Sequence, residues 1–130
     1  MKLVDANVLI RYLTKDDKGK AESCKELLVS SGEELLITDL ALAEVVWVLE
    51  SQYGMTAEDI FKAVSPIVSA PQLTVIDRDI LLDALYLYRA NDVDFIDAYH
   101  AALGNWIGAD AIYSYDKKDF LKLGFPREEP

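Results

Sequence analysis

Lys2-Leu3-Val4-Asp5-Ala6-Asn7-Val8-Leu9-Ile10 opens the chain with an apolar run that stops at an aspartate and then resumes. The first part reads as a short strand. The second part, continued by Tyr12 and Leu13, has too many apolar residues in a row for an exposed helix, so a buried turn is expected there. The pattern recurs. Leu35-Leu36-Ile37-Thr38, Leu73-Thr74-Val75-Ile76 and Ala111-Ile112-Tyr113-Ser114 are three more short apolar runs. The stretches between them carry helical periodicity. Lys18 to Ser30 places Ala21, Cys24, Leu27 and Leu28 at helical spacing, closed by Ser31-Gly32 as a C-terminal cap.

Thr38 or Asp39 caps an apolar helix from Leu40 to Gln52, stopped near Gly54. Thr56 with Asp59 three residues on forms a capping-box pattern for a helix through Val64, which Pro66 is expected to kink or end. Further helices are expected from Asp79 to Arg89, from Asp94 to Gly108 and from Lys117 to Leu123. Gly124, Pro126 and the charged end Arg127 to Glu129 read as a solvated tail. Strands alternating with helices indicate βαβ units. The expected fold is an α/β three-layer sandwich with a central, mostly parallel sheet of four to five strands, in one domain spanning 1–130.

A hydrophobic fraction of 52% supports a packed core despite a net charge of −10. That acidity argues against a simple nucleic-acid-binding module, which carries a basic footprint. It leaves room for an enzyme whose carboxylates hold cations that meet phosphate. The single cysteine, Cys24, cannot form an internal disulfide, and Met1 to Arg11 is too polar for a signal peptide. No stretch approaches the roughly 20 apolar residues of a membrane span. A cytoplasmic protein is expected.

Ligands of open parallel sheets bind beyond the carboxyl ends of the strands. Asp5 ends the first strand there, and Asp116 follows the fourth. Glu44 and Asp97 lie in the early turns of helices leaving the same edge. Each has an ordinary alternative. Asp5 alone suits a helix N-cap, Asp116 a turn, and Asp97 a partner of Asp94 at a helix start. Glu44, amid Leu42, Val45, Val46 and Trp47, is expected to be buried and therefore to need a partner or a metal. Gathered together, four carboxylates raise one another's pKa unless a cation is present. Oxygen ligands of this kind select Mg²⁺ or Mn²⁺; zinc is disfavoured by one cysteine and one histidine far apart. His100 is expected to be a half-buried helical residue. No phosphate-binding loop of the G-x-x-x-x-G-K-[ST] form and no G-x-S-x-G elbow occurs.

Four blocks in order, Val4 to Leu13, Ala43 to Leu49, Asp94 to Ala102 and Ser114 to Phe120, make the sequence resemble the PIN-domain family, in particular the VapC-type toxin ribonucleases of toxin–antitoxin pairs. The resemblance runs nearly end to end. It implies that Asp5, Glu44, Asp97 and Asp116 form the quartet that binds Mg²⁺ or Mn²⁺ and cuts RNA internally to leave a 5′ phosphate. Asn7 and Ser114 match accessory polar positions, and Asp94 is a rim residue with an N-cap role. Ala6 stands where the family often has a hydroxyl, which removes one accessory hydrogen bond. Asp119 is assigned loop support.

A cognate antitoxin and a homodimer are also implied. Trp47, Tyr53, Phe61, Tyr86 and Tyr88 are expected mostly in the core, with some lining a dimer face or antitoxin groove. Arg11, Lys15, Lys18 and Lys20, with Lys117, Lys118 and Lys122, form either a basic rim for RNA phosphates or ordinary solvated faces. Two other functions compete: a catalytically inactive PIN-like scaffold that only binds partners, and a receiver-like phosphoacceptor domain. The second lacks an acidic pair at the first strand's end and would leave Glu44 idle.

Overall fold

The first three apolar runs become strands because each alternates into one buried row. In the computed structural model, which describes residues 1–130, they are β1 (Lys2–Val4), β2 (Leu35–Ile37) and β3 (Leu73–Val75). They pair in parallel in the order β1-β2-β3, with Val4 opposite Ile37 and Ile37 opposite Val75. Val4, Leu35, Ile37 and Leu73 are buried, whereas Leu3, on the alternate row, is 73% exposed. These strands belong to the first of two compact units, Met1–Ile76 and Asp77–Pro130.

Helices make both crossovers of the first unit, as parallel pairing requires. The first crossover is α1 (Ala6–Thr14) and α2 (Lys18–Lys25), which runs on into a π-helical stretch, Glu26–Ser30. The second is α3 (Asp39–Ser51) and α4 (Ala57–Ser69). Thr38, not Asp39, caps α3, its hydroxyl accepting the Ala41 N–H at 3.1 Å. Thr56 caps α4 through the Asp59 N–H at 3.2 Å. Leu9, Leu28, Leu42, Val45, Val46, Leu49, Ile60, Val64 and Val68 fill the core.

Pro66 neither ends α4 nor stands at its boundary; the helix continues to Ser69. Pro66 is exposed, while Ile60, Val64, Ile67 and Val68 are buried on both sides of it. That apolar face outweighs the one backbone hydrogen bond a proline removes.

The second unit begins with α5 (Arg78–Asn91) and α6 (Phe95–Ile107), packed on each other. Tyr88 and Phe95 meet edge to face at 5.8 Å. A βαβ unit follows: β4 (Ile112–Tyr113), α7 (Lys117–Leu123) and β5 (Arg127–Glu128), with the strands parallel. The expected solvated tail is therefore wrong. Phe125 is buried with Phe120 and Ala101, and the Ile112 N–H donates to the Pro126 carbonyl at 2.9 Å. Charge in Arg127 to Glu129 masked a strand because a two-residue edge needs only backbone pairing. The expected α/β class with parallel pairing is what the chain has; the strands fall as three and two.

The aromatic residues also differ from expectation. Trp47, Tyr53 and Tyr86 are exposed and only Tyr88 of the five is fully buried. Aliphatic side chains fill most of the core, joined by Tyr88, Phe95, Phe120 and Phe125.

Candidate metal centre

In the first unit, β1 delivers Asp5 to the N-cap position of α1, but its carboxylate makes no capping hydrogen bond. Only its carbonyl accepts, from the Val8 N–H at 3.1 Å. The ordinary explanation for a strand-end aspartate is thus missing, and the exposed carboxylate is free for a ligand. Asn7 and Arg11 follow on α1. Together with Glu44, Ile10, Val48, Gln52 and Tyr53 they line a depression of about 260 Å³ that includes Asp5. The Tyr53 hydroxyl donates to the Asp16 carboxylate, which fixes the ring beside this depression. Gln52 and Tyr53 carry no sequence signal; only the packing of α1 and α3 brings them here.

Glu44 is not buried. Leu40, Glu44 and Trp47 form an exposed stripe on α3, opposite Leu42, Val45, Val46 and Leu49. The apolar neighbours in sequence face the other side of the helix, so the desolvation argument does not apply. Glu44 is available to a cation because it faces the same depression as Asp5.

In the second unit the carboxylates form a cluster. Asp97 is in the first turn of α6, and Asp116 is the N-cap of α7, its Oδ1 accepting the Asp119 N–H at 3.0 Å. Asp119 Oδ2 accepts the Asp94 N–H at 2.9 Å, and Asp94 Oδ1 accepts the Ile96 N–H at 2.8 Å, as its N-cap role requires. The Ser114 hydroxyl accepts the Asp116 N–H at 3.0 Å, and its carbonyl accepts from Arg127 Nη1 at 2.6 Å. Ser114 thus holds the loop that presents Asp116.

One oxygen each of Asp97, Asp116 and Asp119 lies within 4.8 Å of the others. Asp97 feels this most. Its pKa is raised to about 6, first by burial, then by the charges of Asp116, Asp94 and Asp119, and by a hydrogen bond with Asp119. Such a set, all oxygen and partly desolvated, fits a hard divalent cation, which would relieve the repulsion. Asp119 is the residue that sequence reasoning placed only in loop support. Its spacing of three from Asp116 was the signal, because the α7 cap brings the two side by side.

The basic candidates separate. Arg11 lines the Asp5 depression. Lys117 is paired with Glu129 at 3.7 Å, while Lys118 is exposed. His100 is exposed on α6 beside Tyr99, not half-buried.

The family model described as "PIN domain" matches residues 2–126. A "VapC ribonuclease" of Aquifex aeolicus (strain VF5) is 28% identical over 133 residues, covering 100% of this chain and 97% of that protein. No solved structure matches the chain significantly.

Proposed function

The chain belongs to the PIN domain family, and from that membership we propose that it is a divalent-metal-dependent endoribonuclease, the toxin of a toxin–antitoxin pair. The similarity to a protein named as a VapC ribonuclease over both full lengths supports the ribonuclease reading. The observation that carries it here is the carboxylate set: uncapped Asp5 beside Glu44, and Asp97 clustered with Asp116. The unbroken match from 2 to 126 supports taking 1–130 as one functional domain.

Asp5 and Glu44 in the first unit, and Asp97 and Asp116 in the second, are the carboxylates that would hold Mg²⁺ or Mn²⁺, with Asp119 and Asp94 holding the second pair in place. A bound divalent cation supplies Lewis acidity, lowering the pKa of water and offsetting charge on the phosphodiester. Without a cation Asp97 holds a proton at mildly acidic pH, because burial and then its acidic neighbours oppose its ionisation. Asn7 and Ser114 orient groups at the two carboxylate pairs. Arg11, Lys117 and Lys118 bind phosphates of a single-stranded or looped RNA, and hydrolysis leaves a 5′ phosphate. A small antitoxin covers the site, and the protein acts as a cytoplasmic homodimer. No helix is long and apolar enough to cross a membrane.

The test is cleavage of labelled single-stranded RNA with Mg²⁺ or Mn²⁺, by wild type and by Asp5→Asn. Wild type is expected to cut and the variant to lose at least a hundredfold in rate, on the order of 3 kcal/mol of transition-state stabilisation. Equal cleavage by both sinks the assignment. Light scattering at micromolar concentration tests the dimer.

A further inference from the structure

Asp5, Asn7 and Arg11 form a wall shared by two depressions in the first unit. One is the carboxylate lobe already described. The other, about 530 Å³, extends from that wall to Gly19, Lys20, Ser23 and Cys24 of α2. Its chemistry is different. Beyond Asp5 it offers a guanidinium, an ammonium, an amide and a hydroxyl.

Basic residues are outnumbered in this chain, 13 to 23. Lys2, Lys62, Lys117, Lys122 and Arg127 each lie within 4.0 Å of a carboxylate. Arg11 and Lys20 are in no such pair. The group that feels both is Asp17, whose carboxyl is held below its usual range by the Lys20 N–H and then by the Lys20 and Arg11 charges. Two cations therefore act on one small region, at the end of a lobe that begins at Asp5. Arg11 and Lys20 offset the Asp5 and Asp17 carboxylates there, and their N–H groups supply the donors that an anion needs.

We propose that this lobe is a phosphate subsite, seating on Arg11 and Lys20 the RNA phosphate next along the strand from the one at the carboxylates. The assignment rests on the ribonuclease reading and extends it to Lys20. Arg11 presents a planar fork to two phosphate oxygens, and Lys20 acts as a point charge. Asn7 adds a neutral donor; the Ser23 hydroxyl already donates to the Gly19 carbonyl at 3.1 Å and only lines the lobe. The subsite contacts backbone only, so it positions the strand without selecting its sequence.

The experiment is anisotropy of a labelled single-stranded RNA titrated with full-length protein over a series of salt concentrations, with Ca²⁺ in place of Mg²⁺. Lys20→Gln is compared with Lys25→Gln, a change on the same helix that lines a separate groove with Leu28 and Leu73. Lys20→Gln is expected to weaken binding and to lower the slope of log K against log salt by about 0.7, one phosphate contact on a single strand. Lys25→Gln keeps the wild-type slope. In cleavage assays Lys20→Gln raises KM and leaves kcat near wild type. An unchanged slope for Lys20→Gln overturns the subsite, as does an equal loss for Lys25→Gln, which would indicate a diffuse field. A Lys20-dependent slope in a protein that cuts no RNA supports the subsite and overturns the ribonuclease reading instead.

Discussion

Asp97 concentrates the chemistry of the second unit because burial and three neighbouring carboxylates act on it in the same direction. Its folded pKa, about 6, lies above the ordinary value of 3.8. Between these values the folded protein holds a proton that the unfolded chain has released, so the group's stabilisation falls as pH rises through 4 to 6. Metal-free protein is therefore expected to lose urea resistance over that window, and Asp97→Asn to flatten that part of the profile. A profile for Asp97→Asn identical to wild type would contradict the assignment. Glu44 teaches the complementary lesson. Its neighbours in sequence are apolar, yet it lies on the exposed stripe of α3, so its role follows from what it faces and not from burial.

Among the elements, the α6–α7–β5 corner departs furthest from expectation, and Gly104 shows why it is sensitive. A Cβ at position 104 would lie 2.4 Å from the Phe125 ring, so the helix and the segment before β5 touch through a missing side chain. Gly104→Ala gains up to about 1 kcal/mol of helix propensity. The overlap with a buried ring costs more, about 1–3 kcal/mol, so net destabilisation is expected in urea unfolding. Phe125→Ala is expected to cost about 3–5 kcal/mol. A Phe125→Ala midpoint equal to wild type would return this segment to the status of a loose tail. Pro66 illustrates a different balance: a strong local helix breaker is overridden where the buried face continues past it.

At the scale of the whole molecule, a net charge of −10 with clustered carboxylates makes cation binding a stability term. Mn²⁺ at about 100 times its Kd is expected to add about 2.7 kcal/mol, read as a raised Tm that EDTA reverses. Asp119→Asn is expected to reduce that rise, because it removes one of three clustered oxygens; an undiminished rise would exclude Asp119 from the metal's surroundings. The sequence by itself determined the alternation of strands and helices, the caps at Thr56 and Asp94, and the placing of acidic residues at strand ends and helix starts. Those are local properties, set by hydrophobic period and by side chains that bond to backbone a few residues away. Only the tertiary structure decided that Asp5 is uncapped, that Asp119 joins Asp97 and Asp116, that Glu44 is exposed and that Arg127–Glu128 is a strand. The meeting of Asp97 with Asp116 and Asp119 and the pairing of β4 with β5 depend on which distant groups come together, and neither composition nor period records such meetings.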